Sequence, residues 1–429
     1  MIHNIKTNET IRIYPELYDF IRKAQHRNIQ KIDELASGAN ISKALQFLFK
    51  EKGLCLSEQE YAFPELKEGV YLKEAMIEIT GHCNLACRHC YMVDYQKYEL
   101  SKEEMYDIID QLHKMGATGM ALSGGEPLTH PYFDDIVNYA ILKGIRVGEI
   151  YTNGTLISKK FDILKKIADN FGRIEVYVSL DGIGKTHDSF RGQPGAFEKT
   201  IEGIKLLKKL GVQINITSTL SRHNIGEIFE FYEFVKTLGI YNWHVSQPFG
   251  IGRWTTIEED MRISPGEECG IYIEIIKRYL RDKPEMHINF SEFFNSIILE
   301  KGLRFFSCDS HVCPYARNRC GIKPNKDITW CTSLNEQIVG NLGNNSLSGI
   351  WNSESMRKMK DLKVENLKSC KNCRYMHICG GGCRVYSQLY NKDVLSEDPR
   401  KCFFVREFYA KVVPMLPKDL KASILNKVE

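Results

Sequence analysis

The sequence predicts an α/β protein whose main domain is a partial barrel of six parallel β/α units, with a smaller domain on either side. Three observations support this prediction. Short apolar segments alternate with amphipathic helical segments from about residue 74 to about residue 250, an alternation typical of parallel strands joined by helices. Small polar motifs follow several of these strands, where parallel folds place their sites. Nine of the 14 cysteines lie in 308–402, which indicates a metal-binding region.

Residues 1–70 are predicted to form a small N-terminal α+β domain. Extended segments come first and two helices follow, the second capped by Ser42 and carrying Leu45 and Leu48 on its apolar face. This order resembles the winged-helix-like, peptide-recognition domain that is fused to enzymes modifying ribosomally made peptides. The resemblance implies that the domain binds the leader of a precursor peptide. The alternative is a cap that packs against the main domain.

Residues 74–250 form the predicted barrel. Its six strands are expected at about 75–80, 119–123, 145–151, 174–180, 212–220 and 243–247. Helical segments separate them, and the first begins at a capping box formed by Ser101 and Glu104. Six units are too few to close an eight-fold barrel, so the sheet is expected to stay open.

The rest of the chain divides into three parts. Residues 251–304 are expected to bridge the barrel and the cysteine-rich region, with a helix that ends near Arg281, a strand at 287–290 and no chemical motif. The cysteine-rich domain is predicted at 305–404. A helix and a charged tail are expected in 405–429.

Composition excludes several classes of protein. A net charge of +4 over 429 residues, without a block of Lys or Arg, argues against nucleic-acid binding. No apolar run approaches the roughly 18 residues of a membrane helix, and the N-terminus lacks the apolar core of a signal peptide. We therefore expect a cytoplasmic protein without membrane contact, whose reduced thiols bind metals. Cys55 and Cys269 stand apart and are expected to be small buried hydrophobic residues.

Three cysteines follow the first strand of the barrel at offsets of 0, 4 and 7, namely Cys83, Cys87 and Cys90. Thiolates are the ligands of iron–sulfur clusters, and three of them leave one iron of a four-iron cluster open. The spacing resembles the signature of the radical S-adenosylmethionine (SAM) enzymes, in which SAM chelates the open iron. His89 stands where that family usually has an aromatic ring. Zinc and buried structural cysteines are the alternatives.

Polar motifs at the ends of the next strands extend this resemblance. The segment Gly124–Pro127 matches a second family motif, in which the glutamate accepts hydrogen bonds from the amino group of SAM. The residues that the resemblance assigns to SAM binding are Gly124, Gly125, Glu126, Asn153, Ser179, Asp181 and Arg191. Tight turns would explain the glycine, Asn-Gly and Asp-Gly pairs equally well, and Arg191 could be a solvated loop residue. The catalytic residues are left unassigned.

The C-terminal cysteines resemble the seven-cysteine auxiliary-cluster domain called SPASM. By position, the resemblance implies a first auxiliary cluster held by Cys308, Cys313, Cys331 and Cys383, and a second held by Cys370, Cys373, Cys379 and Cys402. Lys326 stands where the family often has glycine, and Cys320 is an extra thiol that could replace Cys313 or stay free. Thr332 replaces the aspartate base of sulfatase maturases, which argues against that activity. Two structural zinc sites are the alternative reading of the spacing.

Together these resemblances imply a radical SAM enzyme with three 4Fe–4S clusters, which cleaves SAM reductively to a 5′-deoxyadenosyl radical. The expected substrate is a ribosomal precursor peptide, modified by a thioether, a carbon–carbon crosslink or related C–H functionalisation. The electron donor would be a flavodoxin or a ferredoxin. One alternative is an enzyme of small-molecule or tetrapyrrole cofactor synthesis. Another is an iron–sulfur electron carrier or scaffold that does not turn over SAM.

Overall fold

The computed structural model describes residues 2–4, 9–11, 72–172, 174–257, 259–291 and 293–428. In the first 71 residues it defines one antiparallel pair, β1 (Ile2–Asn4) and β2 (Glu9–Ile11). The predicted recognition domain at 1–70 otherwise lies outside the described residues, and so does Cys55.

A single eleven-stranded sheet organises the described part of the chain. Its strands are β3 (Glu74–Thr80), β4 (Gly119–Gly124), β5 (Arg146–Thr152), β6 (Glu175–Ser179), β7 (Gln213–Thr219), β8 (Asn242–Ser246), β9 (His287–Phe290), β10 (Phe294–Asn295), β11 (Arg319–Ile322), β12 (Asp327–Thr329) and β13 (Ile338–Asn341). They lie in the order β10-β9-β8-β7-β6-β5-β4-β3-β11-β12-β13. The six predicted strands are β3 to β8, and each pairs in parallel with the next. The predicted open α/β sheet is therefore confirmed.

Two strands extend the parallel sheet beyond the six that the sequence predicts for the barrel. β9 was expected in the bridge, and it pairs in parallel with β8. β11 comes from the cysteine-rich region and pairs in parallel with the opposite edge, next to β3, so that Arg319 lies beside Glu74 and Ile322 beside Ile77. The cysteine-rich region therefore continues the same sheet.

Helices join and cover the strands. Their bounds are α1 (Lys102–Lys114), α2 (Phe133–Leu142), α3 (Phe161–Phe171), α4 (Lys185–Arg191), α5 (Ala196–Lys209), α6 (Ile228–Thr237), α7 (Pro265–Asp282), α8 (Ile298–Lys301), α9 (Pro314–Asn318), α10 (Leu347–Trp351), α11 (Glu354–Lys360), α12 (Met376–Cys379), α13 (Arg384–Asn391), α14 (Pro399–Glu407) and α15 (Lys418–Val428). A π-helix follows α14 at Phe408–Val412. The predicted capping box is present, since Glu104 N donates to Ser101 Oγ and Ser101 N donates to the Glu104 carboxylate. No helix in the described residues is long and apolar enough to cross a membrane.

The two faces of the sheet differ in chemistry. One face carries buried apolar side chains such as Ile77, Val176 and Ile216, which belong to the main hydrophobic core. The other face, here called the polar face, carries Glu78, Ser123, Tyr151, Tyr177, Asn215, Asn242 and His244. Register sets several of these side by side across the strands, with Tyr151 beside Tyr177, Tyr177 beside Asn215 and Asn215 beside Asn242. Parallel sheets that are packed on both faces are apolar on both, so the polar face is built to meet a hydrogen-bonding ligand or water.

Candidate functional site

The cysteine loop lies directly after β3, between two segments that hold its backbone. On one side, Gly125 N donates to Thr80 O and Glu126 N donates to His82 O, at 2.8 and 2.9 Å. A Cβ on Gly125 would lie 2.2 Å from His82 O, so no side chain fits there. On the other side, Ala86 N and Arg88 N donate to backbone carbonyls at the end of α4. The predicted glycine motif therefore packs against the loop that carries the three cysteines.

Three thiols lie in this loop. Cys83, Cys87 and Cys90 are half-buried, and each lies close enough to the others to influence their charges. Burial, together with the nearby Glu126 carboxylate and the other two thiols, raises the pKa of Cys83 to about 12. Burial also raises the pKa of Cys90. Such thiols become thiolates only beside positive charge, so this donor set fits an iron-containing group.

The carboxylate of Glu126 is fully buried and engages three protein donors. Oε1 accepts hydrogen bonds from Leu128 N at 3.1 Å and from the Thr152 hydroxyl at 2.8 Å, and Oε2 accepts one from Asn153 N at 2.7 Å. An ionised carboxylate has about four acceptor positions, so one remains on Oε2. Burial raises the pKa of Glu126 to about 7, although these bonds oppose the rise. The group therefore both fixes the end of β5 and keeps one position for a cationic ligand.

Asn153 also reaches the cysteine loop. Its Nδ2 donates to Asn84 Oδ1 at 2.9 Å and lies 3.9 Å from Cys83 Sγ. Its Oδ1 accepts from the backbone and the hydroxyl of Thr155, and Thr155 Oγ1 in turn accepts from Asn84 Nδ2. The network makes Asn153 a structural support of the loop as well as a predicted SAM contact.

Asp181 and Arg191 form a buried ion pair, with Nε and Oδ2 separated by 2.5 Å. Arg191 ends α4 and is 7% exposed, so it is not a solvated loop residue. Its guanidinium lies 3.7 Å from Cys87 Sγ. Burial disfavours the charged form of Asp181, but the Arg191 charge holds its pKa below the ordinary value. The pair therefore places a positive charge beside the cysteine loop.

Ser179, also predicted to contact SAM, ends β6. Among the described residues, its side chain makes no hydrogen bond to the cysteine loop.

The second predicted auxiliary set shares one cavity. Cys370, Cys373, Cys379 and Cys402 all line a cavity of about 640 Å³. Burial raises the pKa of Cys402 to about 12, and the other three thiols of the set add to the rise. A turn of three glycines, Gly380–Gly382, follows Cys379 with positive φ at every residue, and glycine adopts such angles without strain. The shape and the donor set both fit a group bound by four thiolates.

Asp398 connects the two auxiliary sets, a role that was not assigned to it from the sequence. Its Oδ2 accepts from Cys383 N at 2.8 Å, and its Oδ1 caps α14, the helix that carries Cys402, by accepting from Lys401 N. The Asp-Pro pair before Cys402 is the sequence signal that could have identified it, because aspartate followed by proline is a common start of a helix.

The first predicted auxiliary set is brought together less completely. Cys313 and Cys331 influence each other's charge, and Cys313 and Cys383 both lie near Arg384. Cys308 Sγ lies 4.0 Å from the backbone oxygen of Lys371. Cys320 is fully buried within β11. Burial raises the pKa of its thiol to about 12, and the nearby Lys360 charge opposes part of that rise. Within the described ranges, no three His, Cys, Asp or Glu side chains converge as they would around a single metal ion.

The polar face is the part of the site that the sequence reasoning missed. Its signal was present, since polar residues alternate with apolar ones in Glu175–Ser179 and in Asn242–Ser246. Strict alternation in a parallel strand indicates one polar face. Ser179, Thr217 and His244 continue this face to the edge that carries the cysteine loop.

Comparison with known proteins matches two regions of the chain. Residues 77–235 match the Radical SAM superfamily, and residues 313–374 match SPASM, an iron–sulfur cluster-binding domain. The chain is 31% identical over 338 residues to an AdoMet-dependent heme synthase of Methanosarcina barkeri, covering 75% of this chain and 94% of that protein.

A second relative comes from peptide biosynthesis. The antilisterial bacteriocin subtilosin biosynthesis protein AlbA of Bacillus subtilis is 29% identical over 329 residues, which cover 72% of this chain and 66% of AlbA. Among solved structures, Streptococcus suis SuiB bound to its precursor peptide SuiA has a TM-score of 0.66 to this chain. The two align over 93% of this chain and 95% of SuiB at 16% identity, a likeness of fold.

Proposed function

The chain belongs to the radical SAM superfamily and carries a SPASM domain, and on this premise we propose that it modifies a ribosomally made peptide. The modification would be a thioether, a carbon–carbon crosslink or a related C–H functionalisation. Family membership implies SAM and 4Fe–4S clusters as cofactors. A flavodoxin or a ferredoxin is the proposed electron donor.

The proposed ligand sets follow the cysteine groups described above. Cys83, Cys87 and Cys90 would hold the SAM-binding cluster, and the two auxiliary sets would make three clusters in all. When bound, the cluster and SAM supply the 5′-deoxyadenosyl radical that removes a hydrogen atom from the substrate. Around them, Gly125 lets the backbone approach, Glu126 offers its free acceptor position to the amino group of SAM, and Arg191 places a positive charge beside Cys87.

The polar face is the observation that supports a peptide substrate. A peptide presents N–H and C=O groups that need hydrogen-bond partners when they leave water. Tyr151, Tyr177 and Thr217 lie on adjacent strands and are partly accessible. The two tyrosine hydroxyls donate to Glu149 and Glu175, and their oxygens keep acceptor positions for the N–H groups of a peptide. Residues 1–70, by binding the leader of the peptide, would add to this contact. The similarity to AlbA, a protein of bacteriocin biosynthesis, also supports a peptide substrate.

Tetrapyrrole chemistry is the second candidate, because a heme synthase is 31% identical to this chain. A flat macrocycle with carboxylate arms needs apolar walls and free cations. On the polar face Lys323 is paired with Glu78, and Arg319 is paired with Glu74 and Glu149. This pairing and the many hydroxyl and amide groups favour the peptide.

One experiment separates the two candidates. The anaerobically reconstituted enzyme is incubated with SAM, dithionite and either a candidate precursor peptide, sought as a short reading frame beside the gene, or an iron coproporphyrin. We expect 5′-deoxyadenosine together with a peptide that has lost two hydrogens, detected by mass spectrometry. A porphyrin that loses carbon dioxide, with an unchanged peptide, would refute the peptide proposal. Absence of 5′-deoxyadenosine with both substrates would instead favour an electron carrier.

A further inference from the structure

A buried ion pair lies where the cysteine-rich region joins the barrel. Lys323, directly after β11, places Nζ 3.0 Å from Oε2 of Glu78 on β3, and both side chains are fully buried. Nζ also lies 5.0 Å from the centre of the Tyr95 ring and 5.9 Å from that of Tyr91. Neither charge was singled out from the sequence.

The two ends of this pair face different cysteine sets. At the negative end, Glu78 Oε1 accepts a hydrogen bond from the hydroxyl of Tyr91, which directly follows Cys90. At the positive end, Lys323 Nζ donates to the backbone oxygen of Thr332, which directly follows Cys331. The Lys323 charge also acts on the Cys331 thiol. The pair is therefore a fixed dipole with its negative end toward the SAM-cluster loop and its positive end toward the first auxiliary set.

Stability does not account for this arrangement. A buried ion pair stabilises a fold no better than apolar residues of similar volume, because both charges lose their hydration. Register does not account for it either. Four residues earlier on the same two strands, Arg319 and Glu74 already form a cross-strand ion pair that fixes β11 against β3. A second charged pair, fully out of water, is better explained by an electrostatic role.

We propose that Lys323, held in place by Glu78, is a positioning residue that raises the reduction potential of the cluster bound by Cys308, Cys313, Cys331 and Cys383. This inference rests on the ligand set proposed above. Reduction adds negative charge to a cluster that four thiolates already make negative, and charge and hydrogen bonding set its potential. A nearby cation that water does not screen stabilises the reduced form. The Glu78 carboxylate, farther away on the Tyr91 side, offsets part of this effect.

The two charges make opposite predictions, which separates an electrostatic role from a structural one. Lys323→Met removes the cation and should lower the midpoint potential of the Cys331-dependent signal. Glu78→Gln leaves the cation unopposed and should raise it. We expect each shift to change the equilibrium constant for one-electron reduction by about tenfold, which corresponds to about 59 mV. The double variant Glu78→Gln with Lys323→Met removes both charges. Because the Glu78 carboxylate offsets only part of the Lys323 effect, its potential should lie below that of the unmodified enzyme and above that of Lys323→Met alone.

The assay is an anaerobic potentiometric titration of the reconstituted full-length enzyme, followed by electron paramagnetic resonance. A background with Cys83, Cys87 and Cys90 replaced by alanine removes the SAM-cluster signal, and Cys331→Ala identifies the signal that depends on the first auxiliary set. Glu74→Gln is the matched control, because Glu74 lies on the same strand but pairs with Arg319 instead of Lys323. Arg319 keeps its second partner, Glu149, in this variant, and the potential should stay unchanged.

Each outcome decides the matter. Opposite shifts in the two single variants, with the control unmoved, support the inference. Shifts of the same sign in both single variants, or no shift in either, would overturn it. If one unpaired charge prevents folding, the potential of the double variant is compared with that of the unmodified enzyme, and an unchanged or higher potential would overturn the inference. A signal that persists in Cys331→Ala would show that the proposed ligand set itself is wrong, which is a different failure.

Discussion

Replacing Glu126 should separate its two roles, SAM binding and support of the strand ends. Truncation to alanine leaves the N–H groups of Leu128 and Asn153 buried without an acceptor. Each unpaired buried donor costs about 1–3 kcal/mol, so Glu126→Ala should lower the free energy of unfolding by about 2–6 kcal/mol. That loss is a large part of the 5–15 kcal/mol that is typical of a folded domain, and alanine is therefore a poor probe of SAM binding.

Glu126→Gln is the sharper probe. In either orientation of the amide, one oxygen still accepts a backbone N–H group, and the cost to folding falls to about 1–3 kcal/mol. The negative charge is lost, and with it the charge-assisted hydrogen bond to the amino group of SAM. Such bonds contribute about 1.5–3 kcal/mol, so SAM affinity should fall roughly 10- to 150-fold.

Isothermal titration of the reconstituted enzyme with SAM measures this change, and iron content and thermal unfolding are recorded in parallel. Glu227→Gln is the matched control, because Glu227 also accepts from a backbone N–H, that of Ile183, and from a threonine hydroxyl, that of Thr186. It should cost similar stability and leave SAM affinity unchanged. If Glu126→Gln binds SAM as tightly as the unmodified enzyme, the assigned role of its carboxylate is wrong.

Three further predictions follow from the site. Because burial raises the pKa of Glu126 to about 7, SAM affinity should fall by up to about tenfold per unit as the pH drops below 7, and Glu126→Gln should remove that dependence in titrations across pH. Asp181→Asn should lower the free energy of unfolding by about 3–5 kcal/mol, because it leaves the buried Arg191 charge unpaired; chemical denaturation showing a loss below 1 kcal/mol would contradict this. Cys320→Ala should retain all of about twelve irons per chain, whereas Cys331→Ala should lose about a third of them. Iron assay of both variants tests this, and a loss of iron from Cys320→Ala would show that Cys320 is a ligand.

The features that the sequence predicted well are those with a local signal. Each strand from β3 to β8 is a short apolar segment followed by a helix, so its existence can be inferred without knowing its neighbours. Cys370, Cys373 and Cys379 lie close in sequence, so their pattern carried the SPASM resemblance that grouped them, and they line one cavity. Cys402 was added through the family resemblance, and it lines the same cavity.

The features that were missed depend on pairing between distant segments. Nothing near residue 319 indicates that β11 lies beside β3, and without that register Lys323 and Glu78 are ordinary charged residues. Arg191 was left open between a SAM contact and a solvated loop, because α4 is too short for its periodicity to be recognised. Its burial becomes evident only once Asp181 and Cys87 are placed around it.

The pairing of β11 with β3 also bears on how the protein is made and handled. β3 leaves the ribosome long before β11, and until residues 319–322 arrive, one side of β3 is an open edge of unpaired N–H and C=O groups. Such edges are templates for aggregation, and contacts between residues far apart in sequence form slowly. A fragment that ends near residue 304 would keep this edge permanently exposed. We expect the barrel to be recovered in soluble form only when the chain extends past β11. The practical route to the enzyme is therefore to express the full-length chain together with chaperones, which protect the edge of β3 until β11 is made.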